Sequence, residues 1–212
     1  PMIDGRVGTQ PPAASNFTRV GTSTTSTLAD SYGGLLVTSV AGQTNNEMWS
    51  YNTALSATWQ VDTVHETIWG GQTGSHESLS AIAIADGTTT ASKLYRYGIY
   101  LSASVLTLQI QRFNGIDGGG ADVAYSYQID ALNSNAAALA AQPRIKRWWL
   151  RVVQDSTNMT FYYSPDGGAG WVQIYQQAKA AYLVASRVAL YASNASGVSY
   201  STQSRFLSFR SQ

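Results

Sequence analysis

Hydrophobic and polar residues alternate along much of the chain, most clearly between residues 147 and 176. Trp149, Arg151 and Val153 fall on one side of this stretch, and the residues between them fall on the other. A repeat of two is the period of a β-strand, whose successive side chains point to opposite faces. With polar turns at 155–158 and 165–168, the stretch predicts a β-meander of three strands, which begin at Trp149, Met159 and Trp171.

Further strands are predicted wherever similar runs are bounded by Gly, Pro, Asn or Asp. The segment 59–68 is the longest, with Trp59, Val61, Thr63 and His65 on one face and the residues between them on the other. The others are expected at 17–20, 35–40, 48–51, 79–85, 95–102, 105–113, 123–129, 187–193 and 204–210, with turns that include 30–34. Residues 135–142 favour a short helix, which Pro143 ends.

The order of these segments resembles a known family. An arginine-bearing strand, a polar turn, the run FYYSPDG at 161–167 and WVQI at 171–174 are similar to the late hairpins of concanavalin A-like (lectin/glucanase, laminin-G-like) jelly rolls. The segments 187–193 and 204–210 resemble the last strands of that fold. The resemblance implies an all-β, two-sheet antiparallel jelly-roll sandwich, and the length suits one domain over 17–212 after an extended arm or linker at 1–16.

Composition narrows the class of protein. Charged residues make up 12% of the chain and cysteine is absent, so disulfides and thiolate zinc sites are excluded. The sequence has no apolar run long enough for a membrane-spanning helix. The weakly charged, Ser/Thr/Gly-rich surface is typical of extracellular or virion β-proteins. Residues 143–212 carry eight basic and two acidic residues, but the basic ones alternate along strands, which favours a solvated face over a nucleic-acid site.

One short motif deserves a structural interpretation. Residues 164–171, SPDGGAGW, resemble the Asp-box of sialidase propellers, with Gly170 in place of the usual Thr. The chain has one copy and no repeat of propeller length, so a propeller is not expected. We predict a hairpin turn in which the Asp166 carboxylate accepts hydrogen bonds from backbone N–H groups while Trp171 packs beneath.

Catalysis is not expected. Glycoside hydrolysis needs two carboxylates across the scissile bond, and the three glutamates, Glu47, Glu66 and Glu77, form no such motif. Asp62 and Glu66 share a strand face, but their four-residue separation is too wide for a close pair. A glycan-cleaving enzyme that uses Glu66 or Glu77 is the minor alternative.

Two His-Glu pairs are the candidates for a metal site. The pairs His65-Glu66 and His76-Glu77 flank a glycine-rich loop, and imidazole with carboxylate suits zinc. Two surface polar pairs at strand ends are the simpler interpretation, and we favour it. Asp117 and Asp122 are calcium candidates by their loop position, but no calcium-binding motif supports them. We therefore expect no cofactor.

Aromatic residues are the strongest binding signal, with six Trp and thirteen Tyr. Trp148 and Trp149 are adjacent, so on a strand one of them must lie outside the inter-sheet core. Sugars stack on such rings, and the other candidate ligand-binding residues are Trp69, Trp49 and Tyr51.

The leading prediction is a non-enzymatic, lectin-like carbohydrate-binding module on a virion or extracellular assembly, such as a phage tail protein in host recognition. The alternative is a structural virion or adhesion module whose aromatic face is a protein interface. That alternative predicts a homo-oligomer in solution, and a tight trimer would favour the virion interpretation.

Overall fold

The computed structural model describes residues 12–21, 26–31, 33–39, 45–69, 77–102, 105–116, 122–131, 145–194 and 202–211. These residues form fourteen strands and one turn of 3₁₀ helix at Ala14–Asn16. The strands are β1 (Phe17–Val20), β2 (Thr27–Ser31), β3 (Gly34–Ser39), β4 (Asn45–Tyr51), β5 (Trp59–Trp69), β6 (Glu77–Ala85), β7 (Leu94–Ser102), β8 (Val105–Phe113), β9 (Asp122–Ala131), β10 (Ile145–Gln154), β11 (Asn158–Ser164), β12 (Val172–Ala178), β13 (Arg187–Asn194) and β14 (Thr202–Ser211).

The strands form two antiparallel sheets of seven strands each. Sheet A has the order β1-β4-β13-β6-β7-β8-β9, and sheet B has the order β12-β11-β10-β5-β14-β3-β2. The predicted two-sheet antiparallel sandwich is confirmed. Among the described residues, half of the pairings join consecutive strands, whereas central pairings such as β13-β6, β10-β5 and β5-β14 join strands distant in sequence.

The predicted strands are found close to their expected positions, with one omission. Strand β2 was not predicted, because TLADS lacks the alternation that marks a half-buried strand. It pairs with β3 through a tight hairpin in which Ser31 lies opposite Gly34. Gly33 closes this hairpin with φ of +80°, a backbone conformation that suits glycine. The predicted turn at 30–34 is therefore the connection between two strands.

The inner faces of both sheets form one hydrophobic core. Its fully buried members come from sheet A, such as Tyr97 and Ile99, and from sheet B, such as Leu150, Phe161 and Phe206. The rings of Tyr97 and Phe161 meet edge to face with centroids 5.4 Å apart. The Tyr97 hydroxyl also donates a 2.6 Å hydrogen bond to the backbone oxygen of Tyr162, which ties the sheets together.

Part of the outer face of sheet A is buried as well. A second cluster there includes Met48, Ala83, Leu94 and Tyr191, all fully buried. The prediction that segment 79–85 is a strand buried on both faces is confirmed for Ala81 to Ala85, whose side chains are inaccessible.

Two predicted segments lie wholly or partly outside the described residues. The helix-favouring patch 135–142 is among the residues that the structure does not describe, as are residues 1–11 of the predicted arm. At residues 12–16 the chain already contacts the fold, since the Ala14 N–H donates a 2.8 Å hydrogen bond to Asp30. Within the described ranges, no helix has the length and apolar character that crossing a bilayer requires.

Candidate functional site

The Trp148-Trp149 pair on β10 is divided between the two faces of sheet B. Trp148 is 3% exposed and belongs to the inter-sheet core. Trp149 is partly exposed on the outer face, opposite Val64 of β5 and Ser164 of β11. The predicted split is confirmed, and it leaves one large ring outside the core. Binding by either residue stays a prediction.

Charged and aromatic residues surround Trp149 on the outer face of sheet B. Alternation along β10 places one arginine on each side of it, and the neighbouring strands β5 and β14 contribute acids and a further arginine. A second tryptophan follows the loop after β11. We call the surface formed by Asp62, Glu66, Arg147, Trp149, Arg151, Trp171 and Arg205 the Trp149 face.

Arg151 is held rigidly in this surface. Its Nε and Nη2 donate to the two carboxylate oxygens of Asp62 at 2.6 and 3.0 Å. Gln60 donates a further hydrogen bond of 2.9 Å to Asp62, whose side chain is 5% exposed. The Arg151 guanidinium lies 4.0 Å from the ring centroid of Trp171, a cation–π arrangement. Asp62 thus holds the Arg151 guanidinium in the position where it contacts the Trp171 ring.

Glu66 is shared by two arginines. Arg147 Nε donates to its Oε1 at 2.7 Å, and Arg205 Nη1 lies 3.7 Å from its Oε2. The Glu66 side chain is 10% exposed, whereas that of Arg147 is 59% exposed. Strand register explains the arrangement, since Arg147 and Arg205 both lie opposite Glu66 on the two strands that flank β5.

The loop after β11 supports the ring of Trp149. The Asp166 carboxylate accepts hydrogen bonds from the Gly170 N–H at 2.8 Å and from the Ser164 hydroxyl at 2.7 Å. These bonds hold the pKa of Asp166 below its ordinary value of 3.8. A Cβ at Gly167 would lie 3.8 Å from Cζ2 of Trp149, so the turn lies against the ring.

The predicted capping by Asp166 is therefore confirmed, whereas the packing of Trp171 beneath the turn stays a prediction. Trp171 is partly exposed and contacts Arg151.

Of the other predicted aromatic residues, Tyr51 and Trp49 lie on β4 of sheet A, away from the Trp149 face. Tyr51 on β4 packs between Phe17 and Phe209, with ring centroids 5.3 Å from each. Trp49 also lies against the inter-sheet core. Trp69 ends β5, but its side chain is outside the described residues. Ligand binding by these residues stays a prediction, and for Trp49 and Tyr51 the structure provides a packing role.

Of the four metal candidates, the structure describes the side chains of His65 and Asp122. His65 points into the core, fully buried against the Phe206 ring at 5.2 Å, so describing it as part of a surface polar pair was wrong. The alternation of β5 sends His65 inward and Glu66 outward. Asp122 is paired with Arg112. His76 and Asp117 lie outside the described residues, among which no cluster of His, Cys, Asp and Glu side chains is arranged to hold a metal.

Burial removes the acid-base role of His65 near neutral pH. Loss of solvation lowers its pKa from 6.5 to about 3. Neither ring nitrogen has a hydrogen-bond partner among the described residues. His65 is therefore neutral at physiological pH, and its imidazole serves as a packing group.

Sequence reasoning missed a buried polar cluster on the outer face of sheet A. Arg96 Nη1 donates to the Tyr191 hydroxyl at 2.9 Å, and the guanidinium carbon lies 3.4 Å from the Phe113 ring centroid. Gln111 donates a 2.9 Å hydrogen bond to Gln109. In β8, Gln109 and Gln111 alternate with the apolar Ile110. This alternation was the sequence signal that places polar side chains together on one face of the strand. Arg96 and Tyr191 are only 7% and 0% exposed, so the cluster is closed to a large ligand.

Comparison with known proteins identifies the fold. No protein-family model matches the sequence, and no curated protein matches it. The structure is similar to a legume lectin-like domain from Entamoeba histolytica, 10% identical over 93% of this chain and 90% of that one, with a TM-score of 0.55.

It is also similar to the exoplasmic/lumenal domain of VIP36 in a Ca²⁺/Man3GlcNAc-bound form, 7% identical over 93% of this chain and 85% of that one, with a TM-score of 0.57. A third similar structure is alginate lyase AlyC3, 10% identical over 86% of this chain and 76% of that one, with a TM-score of 0.52. The chain has the concanavalin A-like jelly-roll fold, which serves both carbohydrate-binding proteins and carbohydrate-cleaving enzymes.

Proposed function

We propose that the protein is a non-enzymatic carbohydrate-binding module, displayed on an extracellular or virion assembly, and that the Trp149 face is its binding surface. The observation that carries the proposal is the position of Trp149, partly exposed outside the inter-sheet core and flanked along β10 by Arg147 and Arg151. Sugar-binding sites commonly combine an aromatic ring with polar groups held in fixed positions beside it.

The pairing of the acids supports binding rather than hydrolysis. Asp62 and Glu66, the two carboxylates of the Trp149 face, both accept hydrogen bonds from guanidinium groups. Hydrolysis needs two carboxylates that face the scissile bond, whereas these two are engaged by arginines of the same surface. The similarity to a lectin-like domain and to a glycan-bound VIP36 domain supports a glycan as the ligand.

The test is a titration of purified protein with a panel of surface polysaccharides and their oligosaccharides. We expect Trp149→Ala to weaken binding at least tenfold, because the stacking ring is lost. Trp148→Phe is the matched control, since it replaces the adjacent, buried tryptophan with another ring and should leave binding unchanged. No binding at millimolar sugar, by the single chain or an assembled form, would remove the proposal, as would unaltered binding by Trp149→Ala.

The second candidate is a structural or adhesion module that uses the same face as a protein interface. The observation in its favour is that the face carries two partly exposed tryptophan rings, Trp149 and Trp171, a residue type enriched in protein interfaces. A homo-oligomer should then be detected by light scattering, and Trp149→Ala should dissociate it. Glycan binding by a monomer would decide for the first candidate.

A further inference from the structure

The arginines of the Trp149 face differ in how fully their guanidinium groups are paired with carboxylates. Arg151 makes two hydrogen bonds to Asp62 and lies on Trp171. Arg147 and Arg205 instead share the single carboxylate of Glu66. The face therefore has three guanidinium groups and two carboxylates, a surplus of one positive charge among these residues.

The surplus charge is directed toward solvent. Arg147 donates only its Nε to Glu66, and its side chain is 59% exposed. Arg205 approaches Glu66 at 3.7 Å, beyond normal hydrogen-bond length, and its side chain is 34% exposed. The terminal N–H groups of Arg147 are thus oriented by Glu66 without being consumed by it, which is the preorganised state that favours binding of an oxyanion.

The aromatic ring and the charge lie within reach of one ligand. Arg147 and Trp149 are two residues apart on one face of β10, a separation of about 7 Å. Arg205 lies across β5, so the backbones of the two arginines are about 10 Å apart. A polymer that places one sugar ring on Trp149 would place the next group over the guanidinium groups.

We infer that the Trp149 face takes an anionic polysaccharide, with Arg147 and Arg205 binding a carboxylate or sulfate group while an adjacent sugar ring stacks on Trp149. This inference rests on the proposed function. Guanidinium binds carboxylate and sulfate alike through paired N–H donors, so the experiment must separate the two sources of charge.

The experiment compares charged polymers with neutral counterparts of the same backbone. Polygalacturonate is titrated beside its methyl ester, and dextran sulfate beside dextran. We expect at least tenfold tighter binding of the charged member of one pair at 50 mM NaCl, with the difference shrinking by 300 mM because salt screens exposed charges.

The variants assign the effect to residues. Arg147→Gln with Arg205→Gln should remove the preference for the charged polymer, whereas Arg19→Gln, which removes one positive charge from sheet A, should retain it. Because the double variant leaves Glu66 without an arginine, the triple variant with Glu66→Gln is measured too and should also show no preference.

Three results would overturn the inference. They are equal binding of charged and neutral polymers, equal loss in Arg19→Gln and in the face variants, and equally tight binding of single-stranded poly(dT), which would indicate a general polyanion surface. If neutral glycans bind and Trp149→Ala abolishes their binding, the inference fails and the proposed function stands. If no glycan binds at all, both fail.

Discussion

Burial of a single imidazole has consequences for stability. His65 lies between Trp148 on β10 and Phe206 on β14, with no hydrogen-bond partner for its nitrogens among the described residues. A buried polar group without a partner costs free energy. The unpaired imidazole at the centre of sheet B therefore lowers the free energy of unfolding.

We predict that His65 makes the protein acid-sensitive. The unfolded chain binds a proton near pH 6.5, whereas the folded chain binds it only near pH 3. The unfolded state therefore holds more protons in this window, and the free energy of unfolding falls as the pH is lowered through it. Urea unfolding at pH 7 and pH 4 should show a smaller loss of stability in His65→Leu than in wild type. Equal losses would contradict the assignment.

The two adjacent tryptophans should differ sharply when truncated. Trp148→Ala empties part of the core and should lower the free energy of unfolding by about 3–5 kcal/mol. Trp149→Ala removes a ring that is not part of that core, and should cost less than about 1.5 kcal/mol. Chemical denaturation of both variants measures the contrast. Similar losses would mean that Trp149 is a structural residue.

At the scale of elements, the turn after β11 contributes both to the stability of the fold and to the position of the Trp149 ring. Asp166 holds the Gly170 N–H and the Ser164 hydroxyl, and the Gly168 N–H donates to the Ser164 oxygen at 2.8 Å. The turn thus positions Gly167 against Trp149 and leads directly into Trp171.

We predict that Asp166→Ala lowers both the melting temperature and the affinity of the Trp149 face for its ligand. The pKa of Asp166 is depressed in the folded state, so its contribution is present above pH 3.8 and is lost as the pH falls through the folded value. Thermal unfolding at pH 7 and pH 3 should therefore show a larger difference between variant and wild type at pH 7. Asp155→Ala, which removes a similar acceptor from the turn before β11, is the control for binding.

Local alternation was enough to place most strands, and it also divided Trp148 from Trp149. The partners across strands were not predictable in the same way. Glu66 meets Arg147 across 81 residues of sequence, and Asp62 meets Arg151 across 89. These pairs depend on which strands become neighbours, and β5 lies between β10 and β14 only in the folded sheet. His65 was misjudged for a different reason: it was grouped with Glu66 rather than with Trp59 and Val61, which share its face of β5 and are buried in the core.

At the scale of the molecule, one core joins the two sheets. Its fully buried residues come from central strands of both, and the Tyr97 hydroxyl bonds the backbone of the opposite sheet. We predict a single cooperative transition, in which tryptophan fluorescence and far-ultraviolet circular dichroism change together with denaturant. Separate transitions would show that the sheets unfold independently.

The edge of sheet B matters for how the protein is stored and handled. β12 is its terminal strand, and its sequence VQIYQQA has no charge and no proline. A short uncharged segment of high β-propensity at a sheet edge is a template for fibril growth. Agitated or partly unfolded samples should therefore seed amyloid through β12, and a lysine in place of Gln173 should delay the rise of thioflavin T fluorescence.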